Sequence, residues 1–499
     1  MKRRQFIERV GLLTGSLGLV VNGIPVRSFA NPLRTQEDDN ILVFLQLTGG
    51  NDGLNTLIPF EDDLYYANRP TLAIPKNQIL PVTSTLGFNP NMSAFATLFR
   101  EGKMSVIQNV GYENPDRSHF KSMDIWNSSS NPESMKESGW AARYLSSLAE
   151  NIEPNRNFPM AVELGWSGAL LLEENNITHG LYMNSLEEYV SITKQYISPA
   201  DYDNLSIADL ELDYINYIAV QSNNFAARIS QVSSAGKNIG PYPDSFLGRQ
   251  LSIVARLISG GLETSVYTAK LKGFDTHFLQ AEPHAALLKE TSDAVGAFQY
   301  DLQALGISKR VTILIYSEFG RRLKEGSFGT DHGTAAPIFV IGDSVRGGII
   351  GVNPDLKNLD QNGDLIYKYD YRQIYATILQ DHLSTPESTA IGVLGDRYPT
   401  LPIYKNSIDP YPEQLFEFES VYPNPTLGDV NVKFSLTEKS YVVLDLYSTN
   451  GSLLHSALHK NFFSGVHTVP FNYPFIAPGT YQLVLSVNGK RKTKALVKV

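Results

Sequence analysis

The stretch NILVFLQLTGGNDGLNT, residues 40–56, joins a continuous apolar run of strand length to a glycine-rich turn. An unbroken apolar run of this length predicts a strand that is covered on both faces, as strands of parallel sheets are. The glycines after the run allow the backbone to turn sharply and to approach a ligand, and they bring Asn51 and Asp52 to the strand end. This stretch therefore predicts an α/β fold with its functional groups beyond the carboxyl ends of the strands.

Four further apolar runs repeat the pattern within residues 38–400. Between them, residues 284–305 carry apolar side chains every three or four positions, which indicates an amphipathic helix. Strands that alternate with helices predict a mainly parallel sheet sandwiched by helices. The four runs are KMSVIQNVG (103–111), TSVYTAKL (264–271), RVTILIYS (310–317) and APIFVIG (336–342).

The composition restricts the chemistry. The 499 residues are 42% hydrophobic and 19% charged, which is typical of globular proteins, and their number predicts two or three domains. Basic residues number 42 and acidic residues 51, a net charge of -9, so we expect no nucleic-acid partner. Since the chain has no cysteine, any metal must be bound by His, Asp, Glu or a hydroxyl oxygen.

The first thirty residues, 1–30, are predicted to be a targeting segment. Arg3 and Arg4 precede a mildly apolar, glycine-containing stretch, and Ala30 suits a signal peptidase. The segment resembles a twin-arginine export signal, with a plain secretory signal or a membrane anchor as the alternative. Because the apolar stretch is too short and too glycine-rich to span a bilayer, we expect cleavage near Ala30 and no transmembrane helix in the mature protein.

The end of the chain has a different character. Residues 416–499 contain short strand-like runs between TNGS, APG and VNGK turns, which predicts a small antiparallel β-sandwich after a proline-containing linker at 401–415. The motifs VYPNPTLGDV, LYSTNGSLL and APGTYQLVLSVNGKRKTKALVKV resemble the type A sorting domain of the type IX secretion system of Bacteroidetes. A generic carbohydrate-binding or adhesive sandwich is the alternative. The resemblance implies that the type IX machinery carries the protein across the outer membrane, where it is released or held at the cell surface.

Acids and histidines collect at the ends of the predicted strands. Singly, each of them is typical of a turn, but together they favour a metal site, and Asp275 and His277 can face one cation. Ser118 lies at a predicted helix start, where a serine is either a cap or a nucleophile. The candidate ligands are Asp52, Asp275, His277, Glu318 and His332, and the further candidates are Asn51, His119, His284, Asp331 and Arg322.

Five motifs, in order, carry a family resemblance over nearly the whole central region. They are LTGGNDGLNT, RSHFKSMDIW, GFDTH, SEFGRRLKEGSFGTDHGTAAPIFVIGDSVRGGIIG and YDYRQIYATIL. They resemble the family named domain of unknown function fifteen-oh-one. That family is in turn similar to the alkaline phosphatase and sulfatase superfamily, whose fold is an α/β sandwich with a metal site at the strand ends.

The resemblance implies a role for each matching residue. Asp52 would be the first-strand ligand and Ser118 the nucleophile. A histidine-rich metal would be bound by Asp275, His277 and His332, and Glu318 would lie beside a second metal.

The pattern also departs from that of the superfamily. Phe319 stands where a His or Asn of the second site is expected, and Asp275 and His277 are closer together than usual. A second alignment sets Asp331 and His332 against the superfamily's Asp-His pair instead. One or two divalent ions are therefore expected, zinc for an imidazole-rich site and calcium, magnesium or manganese for an oxygen-rich one.

Three functions are consistent with these observations. The first is a cell-surface hydrolase of phosphate or sulfate esters, of small molecules or of polysaccharides, in which Ser118 attacks while Arg321 or Arg322 balances the oxyanion charge. The second is an inactive superfamily relative that serves as a surface binding or assembly protein. The third is a cell-envelope adhesin whose acids and histidines are only polar loop residues.

Overall fold

The structure is a computed structural model, and its described residues form a large α/β domain and a C-terminal β-sandwich. The predicted signal peptide lies outside the described residues apart from two short paired strands, Leu19–Val21 and Ile24–Val26. Residues 408–415 of the predicted linker lie outside them as well. The described residues are 19–21, 24–26, 39–149, 157–165, 170–175, 177–193, 224–407, 416–436, 440–462, 465–474 and 476–499.

A nine-stranded sheet forms the centre of the described α/β domain. Its strands are β1 Ile41–Thr48, β2 Met104–Gly111, β3 Ala161–Leu164, β4 Gly180–Met183, β5 Val266–Lys272, β6 Val311–Tyr316, β7 Ala336–Ile341, β8 Gly348–Ile350 and β9 Tyr369–Asp370. They lie in the order β4-β3-β5-β1-β6-β7-β2-β8, and β9 pairs with β2. The short strands Leu57–Ile58, Leu80–Pro81 and Gly87–Phe88 form a separate small sheet, and Glu173–Glu174 pairs with Ile177–Thr178.

The sheet is parallel except at β7, which runs antiparallel to both of its neighbours, β6 and β2. The carboxyl ends of β1, β2, β5 and β6 therefore meet at one edge of the sheet. Because β7 runs the other way, the loop that precedes it reaches the same edge. The predicted α/β fold with a mainly parallel sheet is confirmed.

Helices cover both faces of this sheet. Along β1, Ile41, Val43 and Leu45 belong to one buried cluster and Leu42 and Phe44 to another, because successive side chains of a strand point to opposite faces. Helices over residues 93–100, 246–259 and 281–304 contribute to the first cluster, and helices over residues 119–128, 140–149, 371–377 and 387–394 contribute to the second. The helices are α1 Gly53–Thr56, α2 Asp63–Asn68, α3 Ser93–Arg100, α4 His119–Ser128, α5 Trp140–Ala149, α6 Leu186–Thr193, α7 Phe246–Ser259, α8 Ala281–Ala304, α9 Tyr371–Thr377, which continues as a π-helical turn over Ile378–His382, and α10 Glu387–Leu394.

The C-terminal part is a sandwich of two antiparallel sheets. Its strands are β10 Phe416–Tyr422, β11 Val430–Leu436, β12 Ser440–Tyr447, β13 Leu453–Phe462, β14 Gly465–Phe471, β15 Gly479–Val487 and β16 Lys490–Lys498. One sheet has the order β10-β11-β14 and the other β13-β12-β15-β16, and the apolar side chains between them form a separate core.

The sandwich packs against the α/β domain at the amino-terminal edge of the central sheet. Arg491 Nη1 donates to the carbonyl of Glu101, just before β2, at 2.9 Å. A Cβ added at Gly489 would lie 2.7 Å from the ring of Phe99 and 2.8 Å from the Cα of Gly348 at the start of β8, so the two parts are in close contact. Among the described residues, no helix has both the length and the apolar character needed to cross a membrane.

Candidate metal centre

Four side chains meet at the carboxyl edge of the sheet. Ligand atoms of His119, Asp275 and His332 all lie within 4.8 Å of one another, an arrangement that could hold a metal ion. His277 adjoins them, since its Nε2 lies 2.9 Å from Nε2 of His332 and 3.0 Å from Oδ1 of Asp275. We refer to His119, Asp275, His277 and His332 as the His/Asp cluster.

The fold brings these residues together from three separate loops. His119 is the first residue of α4 after β2, Asp275 and His277 follow β5, and His332 precedes β7. Glycines after β1 allow this close approach. Gly49 has a φ of 122°, and a Cβ there would lie 2.4 Å from the amide nitrogen of Asp275. The turn therefore approaches the backbone of Asp275 closely, and its predicted approach to a ligand stays a prediction.

Each histidine of the cluster is held at its Nδ1 by an oxygen. His119 Nδ1 lies 2.8 Å from Oε1 of Glu318, His277 Nδ1 2.9 Å from Oδ1 of Asp331, and His332 Nδ1 2.7 Å from the carbonyl of Arg117. Because an ionised carboxylate or a carbonyl can only accept, each of these bonds assigns the hydrogen of a neutral imidazole to Nδ1. Each Nε2 is then left with a free lone pair, as in metal-bound histidines.

The three Nε2 atoms converge on one oxygen. Oδ1 of Asp275 lies 3.0 Å from Nε2 of His277, 3.1 Å from that of His332 and 3.4 Å from that of His119. The Nε2 of His119 is buried and has no hydrogen-bond partner. Lone pairs at these distances repel one another unless a cation lies between them. In a tetrahedral site with each ligand about 2 Å from the metal, the ligand atoms are about 3.3 Å apart, which is close to the distances measured here. The residues present therefore fit a metal ion.

The surrounding charges also fit a cation. Asp275, Glu318 and Asp331 contribute three carboxyl groups to the cluster and its Nδ1 partners, and the Arg321 guanidinium contacts Asp275. Burial raises the pKa of Asp275, but the hydrogen bond and the charge of Arg321 outweigh burial and hold it well below its usual range. Burial lowers the pKa of His332, whereas the hydrogen bond to Glu318 raises the pKa of His119.

Arg321 does not have the oxyanion-binding position that the sequence indicated. Its side chain is fully buried and donates to the carbonyls of Gly49, Gly50, Phe274 and Thr330 and to Oδ1 of Asp275. These bonds use the guanidinium donors to tie three site loops together. Arg321 is thus a positioning residue, and the half-exposed Arg322, whose Nε is 3.7 Å from Asp364, is the guanidinium open to solvent.

Asp52 does not join the cluster either. Its buried carboxylate pairs with Nη1 of Arg69 at 2.5 Å and accepts from Gln280. Burial raises the pKa of Asp52, but the charge and hydrogen bond of Arg69 outweigh it and keep the pKa below its ordinary value. A guanidinium therefore stands beside the carboxylate that was expected to bind a metal. Nearby, the Oδ1 of Asn51 lies 2.9 Å from Nε2 of His284, so these two residues also form a buried polar contact and not part of the cluster.

Glu318, expected beside a second metal, contacts the candidate ligand His119 instead. Its Oε1 accepts from the amide of Gly49 at 2.8 Å and from Nδ1 of His119, and its side chain is fully buried. Phe319, the departure noted in the sequence, packs its ring 4.9 Å from that of His119 and 4.7 Å from that of His332. A phenyl ring therefore stands where the resemblance implies a ligand of the second metal.

Ser118 lies where a nucleophile was expected, directly before His119 at the N-cap of α4. It is exposed, its hydroxyl makes no cap hydrogen bond, and its amide donates to Oδ1 of Asp116 at 2.8 Å. The hydroxyl is therefore not committed to capping the helix. Behind Glu318 and Phe319 lies a cavity of about 170 Å³ with a largely apolar and aromatic lining that includes Tyr112, Trp126 and Tyr367.

Sequence reasoning gave His119 only a secondary place. The motif RSHFKSMDIW drew attention to its serine, because a helix N-cap is the usual role of a serine before a helix. The sequence did contain a signal for His119, because it lies in the first helical turn after a predicted strand, and that strand end lies at the same edge of the sheet as Asp275. Arg117 gave no signal, since it contributes its backbone carbonyl.

The fold and the cluster define the class of protein: an α/β domain with a histidine-rich site at the strand ends, joined to a β-sandwich. Residues 231–402 match the family described as Protein of unknown function (DUF1501). Residues 420–499 match the Secretion system C-terminal sorting domain. A central region of the chain thus resembles that family, and the C-terminal region is a sorting domain of type IX secretion, which takes the protein to the cell surface or outside the cell. No curated protein sequence matches the chain.

Solved structures that match this chain include a protein in the alkaline phosphatase superfamily from Vibrio parahaemolyticus. The two sequences are 9% identical, the match covers 95% of this chain and 92% of that chain, and the TM-score is 0.34. PsFucS1 sulfatase from Pseudoalteromonas sp. is 10% identical, the match covers 88% of this chain and 84% of the sulfatase, and the TM-score is 0.31. A TAB5 alkaline phosphatase mutant with Mg bound is 12% identical, the match covers 63% of this chain and 92% of the phosphatase, and the TM-score is 0.29. These similarities concern the arrangement of the chain and not its chemistry.

Proposed function

We propose that the protein is an exported, metal-dependent hydrolase of phosphate or sulfate esters that works with one metal ion. The observation that carries the proposal is the convergence of three Nε2 atoms, each with its Nδ1 held by an oxygen, on Oδ1 of Asp275. Imidazole nitrogens without thiolates favour zinc. The three imidazoles and the carboxylate of Asp275, which also accepts from Arg321, would hold the ion.

The chain's own residues supply the remaining chemistry. The metal, when bound, would act as a Lewis acid on the ester oxyanion and lower the pKa of a hydroxyl or water beside it. The Ser118 hydroxyl oxygen attacks phosphorus or sulfur, its proton passes to solvent, and the ester oxygen leaves as the alcohol. Water then hydrolyses the seryl ester. Arg322, open to solvent beside His332, balances the charge of the non-bridging oxygens.

A second candidate function is metal-dependent binding without hydrolysis. The pairing of Arg69 with Asp52 favours it, since a guanidinium beside that carboxylate disfavours a second cation. A surface binding or assembly protein would then retain one ion to hold its loops.

Metal analysis of the full chain tests the proposal. We expect about one equivalent of metal in the wild type, and in His332→Ala less than a tenth of that content, because each histidine contributes a direct bond. His459→Ala, an exposed histidine of the sandwich, is the matched control and should retain the wild-type content. Wild-type protein without metal would contradict the site.

Activity separates the two candidate functions. Hydrolysis of p-nitrophenyl phosphate or p-nitrophenyl sulfate that is lost with EDTA, and lost in Ser118→Ala at unchanged metal content, supports the hydrolase with a serine nucleophile. Metal-dependent hydrolysis that persists in Ser118→Ala assigns the attack to water. Metal without turnover of either ester favours the binding function.

A further inference from the structure

Four large apolar side chains are exposed around the His/Asp cluster. Phe120 is 79% exposed, Phe278 62%, Leu279 59% and Phe328 56%. Phe120 follows His119, Phe278 and Leu279 follow His277, and Phe328 lies four residues before His332. Isolated exposed apolar residues are ordinary, but here each histidine of one cluster has such a neighbour. We call Phe120, Phe278, Leu279 and Phe328 the apolar rim.

Two residues of the rim also have an unfavourable backbone conformation. Leu279 has a φ of 49° and Phe328 a φ of 60°, in the left-handed region that bulky residues rarely adopt. Strain of this kind persists only where the surrounding structure imposes it, and it concentrates at functional sites. Both side chains are more than half exposed, so folding gains little from their burial. The strain and the exposure together indicate a role outside the folded core.

The loops that carry the rim are held in place. The amide of Gln280 donates to the carbonyl of Phe328 at 2.9 Å, and a Cβ on Gly329 would lie 2.3 Å from the carbonyl of His277. The Gln280 side chain, which is fully buried, donates to Asp52 and accepts from Thr330. The two loops therefore lie directly against each other on a buried polar support. Side chains displayed on such a support bind with little ordering cost.

We infer that the ester acted on at the His/Asp cluster has an apolar organic group, alkyl or aryl, which the apolar rim contacts while the anionic head lies at the cluster. This inference rests on the proposed function. Phenylalanine and leucine have no hydrogen-bond groups, so the rim offers nothing to sugar hydroxyls, whereas it can cover methylenes or a ring. The rim residues belong to the same segments as His119, His277 and His332, so an apolar group attached to the anionic head would lie next to them.

Binding of phosphonates tests the inference apart from hydrolysis, because the carbon–phosphorus bond is not an ester. We compare methylphosphonate with hexylphosphonate on the full chain by titration calorimetry. Each fully buried methylene strengthens binding about fourfold, so five methylenes that are partly covered should make hexylphosphonate bind about tenfold tighter.

The variant Phe278→Ser/Phe328→Ser should lower this ratio to about two, and it should leave the Kd of methylphosphonate unchanged. Both side chains are exposed, so the variant keeps the core. Leu427, an apolar residue of the sandwich, is also exposed, at 80%, and Leu427→Ser is the control that should keep the wild-type ratio.

Other outcomes overturn the inference in distinguishable ways. Equal affinity for the two phosphonates in the wild type would remove the apolar group from the substrate while leaving the anion site intact. A tenfold preference that survives in the double variant would assign the alkyl chain to the cavity behind Phe319 and not to the rim. Binding of neither phosphonate would reject the anion site of the proposed function and the inference with it.

Discussion

The three histidines of the cluster differ in what fixes their rings. A buried carboxylate holds His119, an exposed carboxylate holds His277 and a backbone carbonyl holds His332. All three place the hydrogen on Nδ1. Only the exposed one, Asp331, can be removed without opening the core, so it isolates the contribution of ring orientation.

Asp331→Ala should weaken metal binding 10- to 100-fold at unchanged thermal stability of the metal-free protein, because outer-shell partners orient the ligand and raise its basicity. Competition with a metal-binding dye measures the affinity. Asp244→Ala removes an exposed carboxylate far along the chain and serves as the control. An affinity equal in both variants would show that Asp331 does not orient His277 for metal binding.

Arg321 and Arg322 are neighbours with opposite surroundings. Arg321→Gln leaves several buried carbonyls and Asp275 without donors and should lower the free energy of unfolding by about 3–5 kcal/mol. Arg322→Gln, whose side chain is 38% exposed, should change it by less than about 1 kcal/mol. Urea unfolding of the metal-free proteins measures both. Similar losses in the two variants would contradict the positioning role of Arg321.

At the scale of the elements, the long apolar strands were predictable and their directions were not. The runs at 40–47, 103–111 and 310–317 agree with β1, β2 and β6 within one residue at either end, because a strand buried on both faces is apolar throughout. β3, β4, β8 and β9 have four residues or fewer and gave no such run. The antiparallel direction of β7 depends on pairing between distant strands, which local sequence does not encode.

The candidate site was predictable to a similar extent. Asp275, His277 and His332 follow or precede long strands, and the structure places them together. Asp52 fits the same pattern, yet it pairs with Arg69, whose position depends on α2 folding back over the turn. The sequence predicts the ion-pair partner of a carboxylate only when that partner lies close to it along the chain.

Helix α8 carries a buried histidine that makes stability depend on pH. Burial lowers the pKa of His284 to about 4 from 6.5. Between these values the unfolded chain binds the proton and the folded chain does not, so the free energy of unfolding falls as the pH drops, by about 3 kcal/mol from pH 6.5 to pH 4.

His284→Gln keeps a donor for Asn51 and should remove that fall. We expect urea unfolding with EDTA to show the wild type losing about 3 kcal/mol more than the variant across this window. His382, also buried with a pKa of about 4, contributes equally to both proteins. His459→Gln changes an exposed histidine and should keep the wild-type dependence of unfolding free energy on pH. If His284→Gln kept that dependence as well, His284 would not be its source.

At the scale of the whole molecule, the sandwich and the His/Asp cluster lie at opposite edges of the central sheet. Deletion of residues 416–499 should therefore keep the metal content of the α/β domain while the protein no longer leaves the cell, since the sorting domain is lost. Metal analysis and fractionation of the culture measure the two effects. Loss of metal on deletion would contradict the separation of the two functions.

The same separation fixes how the molecule faces its surroundings. Central strands of eight residues are about 26 Å long, and they stand between the contact at Arg491 and the loops of His119 and His332. A molecule attached to the cell through its sandwich would direct its site toward the medium. Molecules dissolved in the medium would then reach the site without first crossing the sandwich.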